Sequence, residues 1–354
     1  MFTRMTALFV GALVAAPAPA QEQMAPFFDI DYSITNLGTP PGVPLTLGGI
    51  CFLEGDPDTL LVGGNANTTA GVIHAVPVIR DGAGHVIGFA TPSQFFASAP
   101  GLGNGGIDGS LNYLPGGILS YCSFSDNSLG QYLPGSTTPD KLIDLTALGV
   151  IDSVGAHLVV PDGFPGAGRL KINSYYLGHW YDAEIVPDGN GLYDVVNVTS
   201  IVPMGAGPEA MVYVDGANPA FFDVDAMLVA KFDGGRVDYY VLDDNGDPVI
   251  GSEFPFINNL FGAEGLAFDP VTGDLLISTF NYAPYGGDEI FVVTGFNPPK
   301  KPCPVGDLDG DCLVNGSDLG LLLLSFGGPG IGDLDGSGIV DGADLGILLL
   351  NWTG

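Results

Sequence analysis

The chain has 354 residues, and its 9 Lys and Arg residues stand against 40 Asp and Glu residues, which gives a formal net charge of −31. With so few basic residues to neutralise phosphates, nucleic acid is excluded as a partner, and anionic membrane surfaces are disfavoured for the same reason. Apolar residues make up 46% of the chain and aromatic residues 10%, which is ample for folded cores. The abundant glycine, together with strand-forming Phe, Tyr and Val, is typical of a mainly β protein with many tight turns.

The first 20 residues have the pattern of a secretory signal peptide. Arg4 precedes a short apolar run over 5–16, and small residues at 18–20 suit a cleavage site. A run of about 12 apolar residues is shorter than the roughly 20 that a membrane-spanning helix needs, so we expect no membrane span. A buried N-terminal helix is the alternative. With a signal peptide, the mature protein would be secreted from a bacterial cell or held at its surface.

A short sequence pattern recurs five times between residues 49 and 264. It consists of a glycine, one further residue, a variable residue and then an apolar stretch. Successive copies lie roughly 50 residues apart, and each continues into a strand, a turn and a second strand. Four strands in about 50 residues is typical of one blade of a β-propeller. The fifth unit is too short for its outermost strand, and an N-terminal strand over 27–34 would complete it and leave no open edge. We therefore expect a five-bladed β-propeller over 25–298; a six-bladed propeller, with a degenerate blade over 140–152, and a β-sandwich are the alternatives.

The last copy of the repeat carries a family resemblance. From Glu264 to Leu276 it reads Glu-Gly-Leu-Ala-Phe-Asp-Pro-Val-Thr-Gly-Asp-Leu-Leu. This segment resembles the repeats of NHL and SMP-30/gluconolactonase-like propellers. In SMP-30-like lactonases, a glutamate at the channel mouth and other oxygen ligands hold a divalent metal that polarises the substrate. The resemblance therefore implies a metal-ligand role for Glu264.

The variable position of each repeat begins an innermost strand, so its side chain is expected at the mouth of the central channel. The five residues at this position are Cys51, Asp108, His157, Glu209 and Glu264. Carboxylates that are forced together raise one another's pKa or bind a cation. We therefore take Asp108, His157, Glu209 and Glu264 as candidates for a catalytic site that holds a further divalent cation. The plainer interpretation is that they are polar strand-start residues bonded to neighbouring backbone amides.

A group of aromatic residues in the third repeat is a candidate platform for a carbohydrate ligand. The group comprises His179, Trp180 and Tyr181, with Tyr175 and Tyr176 a few residues before them. Aromatic side chains that are simply exposed on a strand are the alternative interpretation.

Four cysteines predict two disulfide bridges, because an exported chain meets an oxidising environment. Cys303 and Cys312 lie nine residues apart around an acidic loop. Cys51 begins the innermost strand of the first blade, and Cys122 ends the second strand of the next. Both ends lie on the same propeller face, so the expected pairs are Cys51–Cys122 and Cys303–Cys312. Free buried thiols are the alternative.

Beyond a proline-rich linker over 299–306, residues 307–354 contain two acidic loops that are offset by 26 residues. Numbered from its first Asp, each loop has oxygen ligands at positions 1, 3, 5, 9 and 12 and a backbone carbonyl at position 7. The first set is Asp307, Asp309, Asp311, Leu313, Asn315 and Asp318, and the second is Asp333, Asp335, Ser337, Ile339, Asp341 and Asp344. This all-oxygen pattern suits Ca²⁺, whereas Zn²⁺ would require Cys or His. Two calcium sites are therefore expected.

A helix is expected after each loop. The apolar positions are Leu319, Leu322, Leu323 and Phe326 in one copy and Leu345, Leu348, Leu349 and Trp352 in the other. Their helical spacing predicts that the two helices pack against each other. The loops are EF-hand-like, with Asp in place of Glu at position 12, and with one helix after each loop the pair resembles a type I dockerin module. This resemblance implies a small α-helical calcium-binding module and a cohesin-like or other cell-surface partner.

Two functions fit these features. The first is an exported calcium-binding, dockerin-containing protein that acts as a binding or extracellular assembly component, with a ligand recognised by the propeller. The alternative is a metal-dependent propeller enzyme, a lactonase or a carbohydrate-active hydrolase or lyase in polysaccharide degradation, which dockerins commonly accompany. The sequence leaves open whether the chain is an enzyme. Convergence of the channel-mouth residues around an ion would favour the enzyme, and bonding of their side chains to the backbone would favour the binding protein.

Overall fold

The computed structural model describes residues 21–90, 92–151, 153–205, 207–281, 286–299, 304–310 and 313–353. The chain separates into two compact units, Met1–Pro298 and Pro299–Gly354. The expected signal peptide over 1–20, and the residues Cys303, Asp311 and Cys312, lie outside the described residues. None of the helices in the described ranges is long and apolar enough to cross a membrane.

The described part of the first unit is built from β-strands and one short 3-10 turn, Thr146–Leu148. In chain order the strands are β1 (Gln23–Met24), β2 (Ser33–Gly38), β3 (Ile50–Leu53), β4 (Asp56–Gly64), β5 (Val72–Arg80), β6 (Val86–Phe89), β7 (Gln94–Ser98), β8 (Gly106–Leu114), β9 (Ile118–Phe124), β10 (Ser128–Tyr132), β11 (Lys141–Asp144), β12 (Val154–Val159), β13 (Leu170–Ser174), β14 (His179–Pro187), β15 (Tyr193–Pro203), β16 (Pro208–Val214), β17 (Ala226–Lys231), β18 (Arg236–Val241), β19 (Phe254–Asn258), β20 (Ala263–Phe268), β21 (Leu275–Thr279) and β22 (Ile290–Thr294).

These strands form five antiparallel sheets arranged as the blades of a propeller. The first blade contains β3 to β7, the second β8 to β11, the third β12 to β15, the fourth β16 to β19 with β1, and the fifth β20 to β22 with β2. The innermost strands contact one another in a closed cycle, β3 to β8 to β12 to β16 to β20 and back to β3. The prediction of a mainly β, five-bladed propeller is therefore confirmed. Residues 140–152 contribute β11 to the second blade and form no sixth blade.

An N-terminal strand closes the ring, although it begins later than the sequence pattern suggested. β2 pairs with β22, with Ser33 opposite Thr294. The preceding residues 26–31 form turns that bury Phe28 and Tyr32. Both rings pack on Phe256 of the fourth blade, with centroid separations of 4.8 and 5.2 Å. Because β1 also joins the outer edge of the fourth blade, the N-terminal segment protects the edges of two blades.

The hydrophobic core is divided among the five interfaces between neighbouring blades. At the interface of the first and second blades, for example, Leu61 and Ile73 pack with Ile107 and Leu119. A middle strand therefore has apolar neighbours on both faces, and every residue of Ala226–Lys231 is buried. This two-sided burial explains why such strands have continuous apolar runs in place of strict alternation.

Ionic contacts also cross the blade interfaces. The fully buried Lys171 lies in the third blade, and its Nζ is 2.8 Å from Oδ1 of Asp182 and 2.6 Å from Oδ1 of Asp247. Asp247 comes from the fourth blade and also accepts a hydrogen bond from Nε1 of Trp180. A buried ammonium group is tolerated here because two carboxylates surround it.

The second unit contains two helices, α1 (Gly316–Leu324) and α2 (Gly342–Leu350), and each begins directly after an acidic loop. Both helices start with a capping box: Asn315 and Asp318 exchange side-chain to backbone hydrogen bonds in α1, and Asp341 and Asp344 do so in α2. A small core is formed by Val314, Leu322, Val340 and Leu348.

Only half of the predicted apolar stripe packs inside this unit. Leu322 and Leu348 are fully buried, and Leu319 and Leu345 pack against them. The other four stripe residues remain exposed by 41 to 52%: Leu323, Phe326, Leu349 and Trp352. Two helices of nine residues each present too little surface to cover the whole stripe.

Candidate metal centre at the channel mouth

Asp108, Glu209 and Glu264 lie near the start of the innermost strands β8, β16 and β20. In each strand the regular pairing with the second strand is interrupted at this position. The interruptions fall between Ile107 and Leu111, between Pro208 and Met211, and between Ala263 and Leu266. A β-bulge of this kind changes the direction in which the side chain of the extra residue points. The three bulges direct the three carboxylates toward one another.

The carboxylates form a compact, buried cluster. One oxygen from each of Asp108, Glu209 and Glu264 lies within 4.8 Å of the others, and the three residues are at most 3% exposed. Four of their oxygens have no hydrogen-bond partner: Oδ2 of Asp108, Oε2 of Glu209, and Oε1 and Oε2 of Glu264. Buried polar atoms are almost always bonded. The cluster therefore has the donor set and the unused bonding capacity of a cation site.

The electrostatics of the cluster support the same conclusion. Burial raises the pKa of Asp108 to about 7. Burial, followed by repulsion from Asp108 and Asp233, raises the pKa of Glu209 well above its usual range. Burial, followed by repulsion from Glu209 and Asp108, does the same for Glu264. A divalent cation at this position would favour the ionised carboxylates and offset the cost of bringing them together.

His157 does not join the carboxylates, which corrects the sequence-based expectation. Its ring is fully buried, and its Nδ1 is 2.8 Å from Oγ of Ser110. His157 pairs with Ile172 after the bulge in the third blade, just as Leu111 pairs with Tyr121 after the bulge in the second blade. The position in the third blade that corresponds to the three carboxylates is therefore Gly155.

The close approach of Glu209 requires glycine at two neighbouring positions. A Cβ atom on Gly155 would collide with the carbonyl oxygen of Pro208 and lie 3.1 Å from Oε2 of Glu209. A Cβ atom on Gly109 would lie only 2.5 Å from the same oxygen. The second and third blades thus make room for a carboxylate that the fourth blade supplies.

The carboxylates lie at a cavity of about 240 Å³ that also has polar and aromatic walls. Its other lining residues are Asn67, Phe124, Tyr175, Tyr176 and Phe232. Oδ1 of Asn67 is a further buried oxygen without a hydrogen-bond partner. Asn67, Phe124 and Phe232 were not predicted as lining residues, because all three lie outside the repeated variable position and no local sequence pattern marks them.

The predicted aromatic platform forms only in part. The rings of Tyr175 and Tyr176 are 5.2 Å apart at the cavity wall, and the hydroxyl of Tyr175 donates to Oδ2 of Asp233. Trp180 and Tyr181 instead lie inside the blade interfaces and are at most 1% exposed. They are core residues and are inaccessible to a ligand.

Cys51 and Cys122 are both buried free thiols, so the expected bridge between them is absent. Cys51 packs against the face of the second blade that contains Tyr121. Cys122 follows Tyr121 in the same strand and points to the opposite face, where its Sγ is 3.0 Å from the carbonyl oxygen of Gly155. Successive side chains of a strand alternate between faces, so the second blade separates the two thiols. The expected Cys303–Cys312 pair involves residues outside the described ranges.

In the second unit, each acidic loop brings the aspartates of positions 1, 3 and 12 together. The two groups are Asp307, Asp309 and Asp318, and Asp333, Asp335 and Asp344, with one oxygen per residue within 4.8 Å of the others. Asp318 and Asp344 are fully buried. The Asp344 carboxylate accepts hydrogen bonds from the backbone N–H groups of Leu334, Asp335 and Asp341. These bonds lower the pKa of Asp344, and the bond from Asp341 contributes most.

The remaining predicted loop ligands have other contacts in the structure. Asn315 and Asp341, at position 9, cap the helices by accepting from the N–H groups of Ser317 and Ala343. Oγ of Ser337 donates to the carbonyl oxygen of Ile339 at 3.1 Å. Leu313 and Ile339 are about half exposed.

No family model matches the sequence, and no curated protein matches it. Solved structures similar to the chain include an exo-β-1,3-galactanase from Phanerochaete chrysosporium, at 10% identity and a TM-score of 0.47, covering 74% of this chain and 64% of that one. An oxidoreductase from Thermus thermophilus that is named as a glucose dehydrogenase gives 13% identity and a TM-score of 0.42, with 74% and 100% covered. A protein whose name assigns it to the gluconolactonases gives 9% identity and a TM-score of 0.39, with 79% and 100% covered.

Proposed function

We propose that the propeller is a divalent-cation-dependent enzyme that acts on a neutral, oxygen-rich substrate, such as a sugar lactone or another carbohydrate. The observation that carries this proposal is a set of five buried oxygens without hydrogen-bond partners at one cavity. They belong to Asp108, Glu209, Glu264 and Asn67. The enzyme is preferred here over a purely binding protein because the three carboxylates converge and only Asp108 among them accepts a backbone hydrogen bond, from Gly109.

The chemistry of the donors limits the choice of cation. Carboxylate and amide oxygens suit hard ions such as Ca²⁺, Mg²⁺ and Mn²⁺, and no thiol or imidazole lines the cavity among the described residues. Asp108, Glu209 and Glu264 would hold the ion, with Asn67 as a neutral fourth ligand. A bound divalent ion would act as a Lewis acid that polarises a substrate carbonyl or glycosidic oxygen.

Charge and cavity shape indicate the substrate class. Three carboxylates around one divalent cation leave a residual negative charge, and the whole chain has a formal charge of −31. Anionic substrates would therefore be repelled. Phe124 and Tyr176, whose rings are 5.8 Å apart, offer apolar faces to a sugar ring at the cavity wall. The resemblance of the Glu264 repeat to SMP-30/gluconolactonase-like propellers favours a lactone within this class.

The test is metal analysis of the purified protein together with two matched variants. Glu264→Gln preserves the shape of the side chain and should remove the propeller ion together with lactonase activity. Asp344→Asn should leave both unchanged, because it alters a loop in the other unit. A Glu264→Gln protein with unchanged metal content would overturn the metal site. A protein that binds the ion at Glu264 but turns over neither lactones nor glycans would be a binding protein.

A second proposed function rests on the second unit, as a calcium-binding, dockerin-like module that attaches the protein to a cell-surface or cohesin-like partner. Its support is the matched pair of aspartate clusters and a matched set of exposed apolar residues. Leu324 and Leu350 are 83 and 88% exposed at equivalent positions of the two repeats, and Phe326 and Trp352 are 50 and 41% exposed. Such an apolar surface is typical of a protein-binding face.

Calorimetry of the full chain tests the calcium dependence. Chelation should shift the unfolding transition of residues 299–354 to lower temperature, because the clustered aspartates repel one another without a cation. Asp344→Asn should reproduce this shift in the presence of calcium, and Glu264→Gln should not. A transition that chelation leaves in place would refute calcium binding by this unit.

A further inference from the structure

An aromatic pit lies on the fourth blade, and neither the propeller channel nor the acidic loops account for it. The pit has a volume of about 270 Å³ and is lined by Phe27, Phe28, Ala220, Phe222, Tyr239 and Phe254. Three of these rings are unusually exposed: Phe222 by 74%, Phe254 by 46% and Phe27 by 44%. Exposed aromatic residues that cluster around a concavity mark an interaction site more often than scattered ones do.

The rings form the wall of the pit in a connected arrangement. Phe27 contacts Phe222 and Phe254 with centroid separations of 5.9 and 6.1 Å. The buried Phe28 contacts Tyr239 and Phe254 at 6.3 and 6.2 Å. The rings are inclined to one another at 40 to 86°. Together they present several aromatic surfaces around one small opening.

The loop that carries Phe222 is held in an uncommon conformation. Ala220, Phe222 and Asp223 all have positive φ angles, of 64, 55 and 60°. Non-glycine residues adopt this region rarely, and it is often found where a side chain must be presented for function. Two hydrogen bonds from Asn297 and one from the hydroxyl of Tyr32 fix the loop over residues 217–219. The exposed ring is therefore preorganised.

Acidic residues adjoin the rings in sequence and are themselves exposed. Asp29 follows Phe28, and Asp223 follows Phe222. Each of the basic side chains that the structure describes in the propeller is already engaged with a carboxylate or a carbonyl oxygen: Arg80, Lys141, Arg169, Lys171, Lys231 and Arg236. No basic side chain that the structure describes in the propeller is therefore left unpaired to repel a cation, and the faces of the aromatic rings are the negative surfaces of the pit.

We propose that this pit binds a quaternary ammonium group, as an aromatic cage at the surface of the fourth blade. The faces of aromatic rings attract cations, and a methylated ammonium loses little hydration when it enters an apolar site. The hydroxyl of Tyr239 is the one side-chain polar group among the lining residues. A sugar would need several hydrogen-bonding partners, so this lining disfavours carbohydrate. The volume lies below the roughly 300–1,000 Å³ of sites for drug-sized ligands, which suits a small cationic group.

Calorimetric titration of the full chain with choline tests the proposal, with a matched neutral probe in which a tert-butyl group replaces the trimethylammonium. The two probes share their shape and differ in charge, so choline should bind about tenfold more tightly. Phe222→Leu should weaken choline binding by about tenfold, because it keeps an apolar side chain and removes the aromatic face. Phe95→Leu, at a ring that is 57% exposed on the first blade, is the control and should have no effect.

Three results would overturn the proposal. Equal binding of choline and the neutral probe would show an ordinary apolar pit. Unchanged choline binding in a folded Phe222→Leu variant would place the ligand elsewhere. Sedimentation that shows a dimer lost on Phe222→Leu substitution would identify the pit as a contact between copies of the chain. Because Phe222 is largely exposed, circular dichroism should show that the variant remains folded.

Discussion

Replacing Glu264 with Gln should stabilise the propeller when divalent cations are absent and abolish the stabilisation that cations give to the wild-type protein. The reason is the geometry of the cluster, in which three buried carboxylates have oxygens within 4.8 Å of one another. Without a cation, the ionised carboxylates repel one another, and protonation relieves this only in part, through a side-chain hydrogen bond between Asp108 and Glu264. The substitution removes one charge from the cluster and preserves its volume.

The size of the effect follows from the separation of the charges. Two unit charges 4.8 Å apart repel by roughly 3.5 kcal/mol at an effective dielectric constant of about 20. Glu264 has two such neighbours, but the raised pKa values of all three groups mean that protonation relieves part of this repulsion. We therefore expect a gain of about 1–3 kcal/mol in the free energy of unfolding at neutral pH. For the wild type, a cation at 100 times its Kd should contribute about 2.7 kcal/mol.

Chemical denaturation of both proteins, in EDTA and in excess Ca²⁺ or Mn²⁺, measures both effects. The matched control is Glu54→Gln, which makes the same substitution at an exposed position and should change stability by less than about 0.5 kcal/mol. The reasoning would be refuted if Glu264→Gln destabilised the protein in EDTA while keeping the cation-dependent gain. That result would mean that Glu264 is a structural residue held by contacts other than a metal.

Two further substitutions probe the scaffold of the site. Lys171→Met should lower the free energy of unfolding by about 3–5 kcal/mol, because it leaves the buried Asp247 without its cation. Lys141→Met, whose partners Asp188 and Asp194 have side chains exposed by 12 and 55%, should cost less in the same urea titration, because water reaches both carboxylates. Equal losses would contradict this account. Gly155→Ala should cost about 1–3 kcal/mol and weaken cation binding in calorimetry, since its Cβ would collide with the carbonyl oxygen of Pro208, the residue before Glu209. Gly82→Ala, with no atom within 4 Å of its Cβ, is the neutral control, and an unchanged cation affinity in Gly155→Ala would contradict this model of the site.

The bulges explain how one repeated motif gives different side-chain positions in different blades. In β8, β16 and β20 the repeat's variable residue lies inside the bulge, and its carboxylate is directed away from the regular pleat. In β12 the register shift falls between Val154 and Ala156, so that Gly155 occupies the corresponding position and His157 returns to regular pairing. The cluster therefore draws on three of the five blades, and glycine makes room for it in the third.

Several features of this protein were determined by the sequence alone, because they depend on residues close together in the chain. The glycine-led repeat predicted the strands and the five blades. The aspartate spacing in each acidic loop predicted ligands at positions 1, 3, 5, 7, 9 and 12, and the structure brings the aspartates at positions 1, 3 and 12 together. Strand formation depends on local alternation and turns, and a loop of 12 residues brings its own ligands together. The closure of the ring by an N-terminal strand pairs distant segments, with Ser33 opposite Thr294, but it could still be predicted because the fifth repeat was one strand short.

Other features were decided only by the tertiary structure, because they depend on register and on contacts between distant segments. A shift of one residue reverses the face to which a side chain points. The sequence could therefore not show that Cys51 and Cys122 lie on opposite sides of the second blade, or that His157 lies outside the carboxylate cluster. Asn67 reaches the cavity, and Phe27 and Phe222 meet at the pit, through the folding of segments far apart in the chain. Local spacing determined the elements, and the packing of blades determined which side chains meet.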